Sequence, residues 1–321
     1  MHALRAPRGN RSCDGQKYPA QLLLRTYFLD QLVYKFMRAV LPENPRGDTI
    51  YAWFHFLATH RRLPGSRESG LLNDLLYHVR VDGDLLDPLR QFVSDKEYAK
   101  WYVGATVGER YTLKTLALLN HADEVDRLRL KHFPCVVKPT HLSGEVQFFR
   151  EDDGNLDRER MKRWFGTNLY RESREQNYRW LRPRIMVEEY FDTSGAPVPD
   201  DYKIFCFRGE PRFIQVDSGR FTSHTRNLYD TSWRRLPCSI HYPAREEDDA
   251  LPGPLTRMLE IASRLAAPFD FIRVDFYVNG DDFRVGELTS CPEGAFGRLL
   301  PAGCDETLGN LLLAGGGASR V

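Results

Sequence analysis

The stretch that most restricts how this chain can fold runs from Phe271 to Thr289. Residues 271–278 alternate in period two, Asn279 and Gly280 follow, and residues 283–289 alternate again. Two such runs joined by Asn-Gly read as a β-hairpin, because both residues tolerate the positive φ of a tight reversal. Residues two apart on a strand share a face. Arg273 and Asp275 therefore lie together on the first strand, and Glu287 and Thr289 on the second. Ile272, Val274 and Phe276 take the opposite face and are expected to pack inward. An Asp and a Glu side by side in a mostly apolar hairpin are costly unless a cation sits between them. Mg²⁺ suits such a pair, since it takes a few carboxylate oxygens together with phosphate and water. The competing reading is a solvated strand face with two unrelated acids.

Other short β-like runs occupy residues 135–138, 146–150, 185–190, 202–208 and 212–216, with helical stretches at 158–164 and 255–266. Several neighbouring runs are separated by turn residues, as at Arg208 to Pro211. This pattern predicts antiparallel sheets with helices packed on them, an α+β class, rather than an alternating parallel sheet. The first ninety residues read differently. Residues 1–16 have no periodicity and are expected to be disordered. Leu24, Phe28, Leu32, Phe36 and Val40 recur every four residues, predicting a helix over 21–40 that ends before Pro42. Residues 49–60 and 70–79 predict two more helices. Ser94, with Glu97 three residues on, reads as the N-cap of a further helix.

Charge and composition remove several function classes. Lys plus Arg number 45 against 44 Asp plus Glu, a net charge of +1. That balance gives no electrostatic reason to expect nucleic acid or an anionic membrane as partner. No apolar run approaches the roughly 18 residues of a spanning helix. The six cysteines are scattered without a CxxC pair, so free thiols in a reducing cytoplasm are expected. A P-loop, a GxSxG elbow and an HExxH helix are all missing from the sequence.

Three further segments carry candidate chemistry. Lys138 ends an apolar strand and precedes a turn with Ser143 and Gly144. A strand lysine beside such a loop can hold phosphate oxygens while loop N–H groups cover them. Glu188, Glu189 and Tyr190 end another apolar strand, whose edge could meet an adenine ring while one acid accepts from ribose hydroxyls. Lys203 shares a strand face with Phe205 and Phe207, and a lysine there needs an anionic partner, a phosphate or a carboxylate. Taken singly, each also reads as ordinary structure. His141 and Arg220 carry no ligand argument, and residues 246–249 read as a solvated acidic turn.

The order of these elements resembles the ATP-grasp superfamily. More narrowly it is similar to the TupA-like ATP-grasp family, associated with bacterial surface polysaccharides. The residues that carry the likeness are Asp95, Lys96 and Lys100; Val137 to Pro139; Ser143 and Gly144; Val187 to Tyr190; Asp201 to Lys203; Tyr229, Asp230 and Trp233; and Arg273 to Asp275 with Gly286 to Thr289. The resemblance implies an ATP-grasp fold of two α+β lobes binding Mg-ATP. A mostly helical region would span residues 1–93, a small lobe 94–187 and a large lobe 188–321. It further implies that Lys96 and Lys138 contact ATP phosphates, with Ser143 and Gly144 in the covering loop. Glu188, Glu189 and Tyr190 would line the adenine and ribose pocket, and Lys203 would approach the terminal phosphates. Asp275 and Glu287 would hold Mg²⁺, with Thr289 at the place of a third ligand. Arg273 would stabilise the transferring phosphoryl group. The implied activity is a cytoplasmic, ADP-forming carboxylate–amine ligase working through an acyl phosphate. Its substrates would be small-molecule or glycan-linked acids and amines, such as a surface-glycan precursor or a small peptide. A kinase on the same fold and a non-catalytic nucleotide-binding module are the rival readings.

Overall fold

The structure, a computed structural model, describes residues 33–151, 154–191, 201–219, 224–301 and 303–314. The expectations for residues 1–16 and 21–32, for Cys13 and for Arg220 lie outside these. By internal contacts the chain divides into residues 1–40 and 41–321. Of the first unit, residues 33–40 are described and are helical.

The second unit begins with α1 (Pro45–His60), whose N-cap Asn44 accepts from the Gly47 N–H. α2 (Leu72–Val81) and α3 (Pro88–Ser94) follow, then α4 (Lys96–Val107). Asp95, not Ser94, caps α4: its carboxylate accepts from the N–H groups of Glu97 and Tyr98. Ser94 is instead the last residue of α3, and its hydroxyl donates to the Arg90 carbonyl. Two helices abut here without a loop, so the cap falls one residue later than the pattern predicts.

β1 (Thr115–Leu119), β2 (Cys135–Pro139), β3 (Gln147–Phe149), α5 (Arg158–Gly166), α6 (Leu169–Ser173) and β4 (Ile185–Glu189) come next. The strands form a four-stranded antiparallel sheet in the order β1-β4-β2-β3. Cys135, Val137, Ile185 and Val187 are buried with Met161 and Trp164 of α5. The boundary expected at 187/188 falls inside β4, which holds Glu188 and Glu189 in this sheet.

The rest of the chain is β5 (Asp201–Phe207), β6 (Glu210–Ser218), β7 (Thr225–Asp230), β8 (Arg235–Leu236), β9 (Ser239–Ile240), α7 (Leu255–Ala266), β10 (Phe271–Asn279), β11 (Asp282–Thr289), β12 (Leu299–Leu300) and α8 (Cys304–Leu313). Six of these strands make an antiparallel sheet ordered β11-β10-β5-β6-β7-β8, and β9 pairs with β12. All pairings among the described residues are antiparallel, the α+β arrangement that the hairpin signals predict.

Strand alternation then decides what each face of the six-stranded sheet carries. Ile204, Cys206, Ile214, Val216, Ile272, Val274 and Phe276 point one way and are buried with Met258, Ile261, Ala262 and Leu265 of α7. Each such aliphatic side chain contributes about 1.5–3 kcal/mol on full burial. The other face changes character along its length. At one end Phe205, Phe207, Phe213 and Phe271 are buried with Leu72, Leu75 and Leu76 of α2 and Leu308 and Leu312 of α8. At the other end the same alternation presents Asp201 and Lys203 on β5 and Asp275 and Tyr277 on β10.

Two expectations are corrected here. Cys238 and Cys304, 66 residues apart in sequence, form a disulfide with a Cα–Cα distance of 5.6 Å, whereas Cys135, Cys206 and Cys291 are free and buried. The β9–β12 pairing brings the two cysteines together, a contact invisible in their spacing. Residues 246–249 are not uniformly solvated: Asp249 is 8% exposed and accepts from the Tyr229 hydroxyl and the Asn227 amide. No helix among the described residues is long and apolar enough to cross a membrane.

Candidate active site

The charged end of the six-stranded sheet is laid out by its register. Across β10 and β11, Asp275 faces Glu287 and Arg273 faces Thr289. Across β10 and β5, Asp275 faces Lys203 and Tyr277 faces Asp201. Asp201 in turn faces Asp217 on β6, and Asp217 faces Arg226 on β7. The β10–β11 register shifts after Asp275, where Gly286 is passed over. A Cβ on Gly286 would stand 2.8 Å from the Tyr277 ring, so only glycine lets that ring lie across the bulge.

Tyr277, Glu287 and Thr289 are half-buried; the other charged groups are almost wholly removed from solvent and are held by one another. Lys203 is 5% exposed and pairs with Asp201 at 2.9 Å, Asp217 at 3.2 Å and Asp275 at 4.0 Å. Arg273 grips Asp275 in a two-pronged contact, Nε to Oδ1 and Nη2 to Oδ2, both 2.7 Å, and donates to the Thr289 hydroxyl at 3.2 Å. Burial lowers the Arg273 pKa, but Asp275 more than offsets it and holds the guanidinium above its ordinary value. Burial pushes the Asp275 carboxyl up despite Arg273 and Lys203, and the Glu287 charge adds to the push. Asp217 goes the other way: Lys203 and Arg226 overcome its burial and hold it well below the usual carboxylate range.

The four-stranded sheet supplies the opposite wall. Lys138 on β2 is 8% exposed and its Nζ lies 2.6 Å from Glu188 Oε1 on β4. Lys100, one turn after Lys96 on α4, pairs with the other oxygen of Glu188. Burial favours the neutral form of each of these groups, and Glu188 responds to its two ammonium neighbours by staying below its ordinary value. Lys138 is held above its ordinary value by Glu188, whereas at Lys100 burial prevails and the pKa falls. Lys96 donates to the Leu142 carbonyl at 2.5 Å, and burial lowers its pKa against the pull of Glu287. Glu189 accepts from the Lys114 N–H at 3.0 Å. Gly144 has φ of +76°, the left-handed region that favours glycine, at the turn facing the cleft. His141 is buried and its Nε2 lies 3.0 Å from the Trp164 carbonyl, so it belongs to the small sheet's core.

Between the walls lie two adjoining cavities. One, of 270 Å³, is lined by Lys96, Lys138, Gly144, Glu188, Glu189, Tyr190 and Glu287 among others. The second, of 320 Å³, is lined by Ser143, Gly144, Lys203, Arg273, Asp275, Glu287 and Thr289 among others. The residues singled out in the sequence thus come together on two connected hollows. Lys100 and Asp201, which carried the family likeness without an assigned role, take part as well: Lys100 stands four residues after Lys96 on the same helix face, and Asp201 two residues before Lys203 on its face. Others were not singled out. Asp217 faces Asp201 from the neighbouring strand, a pairing with no local signal. Glu175, Tyr178, His224 and Arg226 also line the second cavity, and no local pattern marks them.

The donor set can be tested against a metal ion. Among the described residues no group of three or more His, Cys, Asp and Glu has metal-holding geometry. Asp275 and Glu287 form a pair, and Mg²⁺ is commonly held by one or two carboxylates, with phosphate and water completing its shell. Glu287 has no ion pair with a described residue, while burial and the Glu287 charge raise the Asp275 pKa. Asp275 is gripped by Arg273, and Glu287 facing it offers the further carboxylate oxygens that fit a divalent cation between the two.

Similar solved structures include the D-alanine–D-alanine ligase from Bacillus anthracis complexed with ATP, 18% identical with a TM-score of 0.35 over 63% of this chain and 54% of that one. The D-alanine–D-alanine ligase from Helicobacter pylori is 17% identical, with a TM-score of 0.38 over 71% and 60%. The ATP-grasp ligase PsnB complexed with minimal precursor is 11% identical, with a TM-score of 0.36 over 64% and 55%. The chain therefore spans little more than half the length of these proteins. No curated protein matches the sequence. Residues 80–313 match the family model for TupA-like ATP-grasp proteins, and the chain belongs to that family.

Proposed function

We propose that the protein is an ATP-dependent, ADP-forming carboxylate–amine ligase. The observation that carries this reading is the convergence of Lys96 and Lys138 from one wall and Lys203, Arg273, Asp275 and Glu287 from the other on adjoining cavities. ATP would lie in the first cavity, its adenine beside Glu189 and Tyr190 and its phosphates toward Lys96 and Lys138. Ser143 and Gly144 would cover the phosphates. Asp275 and Glu287 would hold Mg²⁺, which when bound neutralises phosphate charge. The Thr289 hydroxyl, bonded to Arg273, steadies the guanidinium.

The chemistry asked of the chain is positioning and charge neutralisation. A substrate carboxylate oxygen attacks the γ-phosphorus, the bond to ADP breaks, and an acyl phosphate forms. The nitrogen of an amine then attacks the carbonyl carbon, inorganic phosphate leaves, and the amine proton is released with the amide. Lys203 and Arg273, held rigidly by Asp201, Asp217 and Asp275, meet the phosphoryl group with little reorganisation. Family membership supports substrates among surface-glycan precursors or small peptides, and dependence on ATP supports a cytoplasmic site of action.

The test is ADP release over a panel of acids and amines, with product identification. Glu287→Gln is expected to lower turnover by at least a hundredfold while the fold is retained. Full turnover in that variant overturns the assigned metal role. A stable phosphoryl ester in place of an amide assigns the same site to a kinase.

A further inference from the structure

Six acids line the 320 Å³ cavity: Glu175, Asp201, Asp217, Asp275, Glu287 and Glu293. Four have a close cation. Lys203 stands 2.9 Å from Asp201, Arg226 stands 2.5 Å from Asp217 and 2.7 Å from Glu293, and Arg273 stands 2.7 Å from Asp275. Glu287 faces Asp275 at the position assigned to the metal. That leaves Glu175, in the segment joining α6 to the short 3-10 turn Gln176–Tyr178.

Glu175 is 12% exposed, and its nearest cation, Arg80, is 3.9 Å away. The Arg80 donors are directed elsewhere, to the Gly294 carbonyl at 2.7 Å and to the Ser173 carbonyl. The Ser173 hydroxyl accepts from the Glu175 backbone N–H at 3.2 Å. Burial nevertheless pushes the Glu175 carboxyl above its ordinary value, the mark of a carboxylate short of positive charge. Tyr178 lines the same cavity, and its hydroxyl has no hydrogen bond to a described residue. Burial and the charges of Glu175 and Glu287 suppress its ionisation, so it stays a neutral hydroxyl beside both acids.

A carboxylate in a desolvated cavity favours an entering cation over a neutral or anionic group. An ammonium group offers three donors and one positive charge, which a carboxylate and a phenolic oxygen can receive together. An alcohol would leave Glu175 with only its 3.9 Å contact to Arg80, and a carboxylate would be repelled. We infer that Glu175 and Tyr178 form the acceptor subsite of this protein, and that its occupant is a primary amine arriving as the ammonium ion. Its part in amide formation rests on the ligase reading above; its preference for a cation does not.

The experiment is ligand-observed saturation-transfer NMR on the full chain with three probes of equal length: n-butylammonium, n-butanol and butyrate. Each is titrated with and without Mg²⁺ and a non-hydrolysable ATP analogue. The wild type is expected to bind n-butylammonium at least tenfold more tightly than either other probe. Glu175→Gln is expected to lose at least tenfold of that affinity, and Tyr178→Phe several-fold, with affinity for the analogue unchanged. Equal binding of the three probes, or full n-butylammonium affinity in Glu175→Gln, overturns the proposal. Tyr178→Phe removes a single oxygen and supplies the reading should Glu175→Gln unfold; unchanged amine affinity there overturns it equally. Failure of the analogue to bind the wild type counts against the ligase reading alone, because the probe series without nucleotide reads the amine subsite by itself.

Discussion

Glu188→Gln takes one negative charge from between two lysines while keeping the side chain's size. In the native protein Glu188 is 2% exposed and contacts both Lys138 and Lys100. At 2.6 Å and an effective dielectric near 20, a unit-charge pair is worth about 6 kcal/mol of gross attraction, set against the cost of desolvating both ions. Leaving a buried partner uncompensated typically costs about 3–5 kcal/mol. With an unfolding entropy of about 2.1 cal/mol/K per residue over 321 residues, that corresponds to a drop in melting temperature of about 4–7 °C. The effect has a pH signature. The folded Glu188 carboxyl lies below its ordinary value, so its contribution is present above the unfolded value of about 4.3 and is lost as pH falls through the folded one. Thermal melts from pH 3.5 to 8 should therefore show the wild type losing this advantage on the acid side, where the variant's curve is flatter. A triphosphate brings negative charge to the same lysines, so saturating Mg-ATP should raise the variant's melting temperature by more than the wild type's. A variant that melts with the wild type at pH 7 refutes the argument, because it would mean the lysines need no buried partner.

Two further outcomes follow from contacts outside the cavities. Replacing Cys238 and Cys304 by Ser opens a loop of 66 residues, which the chain-entropy relation values at about 4 kcal/mol; equal urea midpoints for the two forms would exclude a formed disulfide. Asp95→Ala removes the α4 cap and the partner of both Thr140 (2.7 Å) and Arg184 (2.8 Å), so a loss of about 3–5 kcal/mol is expected by urea denaturation. A loss below about 1 kcal/mol would show that Asp95 acts as a surface cap alone.

Local sequence settled the parts of this protein that depend on short-range geometry. The β10–β11 hairpin forms where expected, though its turn is Gly280-Asp281, one residue later than Asn279-Gly280, with Asn279 still paired in β10; period-two alternation places Arg273 with Asp275 and Glu287 with Thr289 on one face. The same rule puts Lys203 on the face of Phe205, and the apolar spacing from Leu255 to Ala266 gives α7 with its buried stripe. Other features had no local mark. β7, β8, β9 and β12 were not read as strands, because they are short or polar and are strands only through their neighbours; β1, apolar Leu and Ala after Thr115, has no β-branched run or alternation to mark it. The cap of α4 passed from Ser94 to Asp95 because α3 ends directly against it.

Tertiary structure alone decided who partners whom across the cleft. Glu188 reads in sequence as a nucleotide contact, yet packing of β4 against β2 and α4 commits its carboxylate to two lysines. Glu175 and Tyr178 lie in a stretch with no periodic pattern, and they reach the cavity because the segment after α6 docks there. Periodicity fixes which way a side chain points from its own element. What it meets depends on a second element brought from far along the chain, and that is determined by the packing of whole sheets and helices.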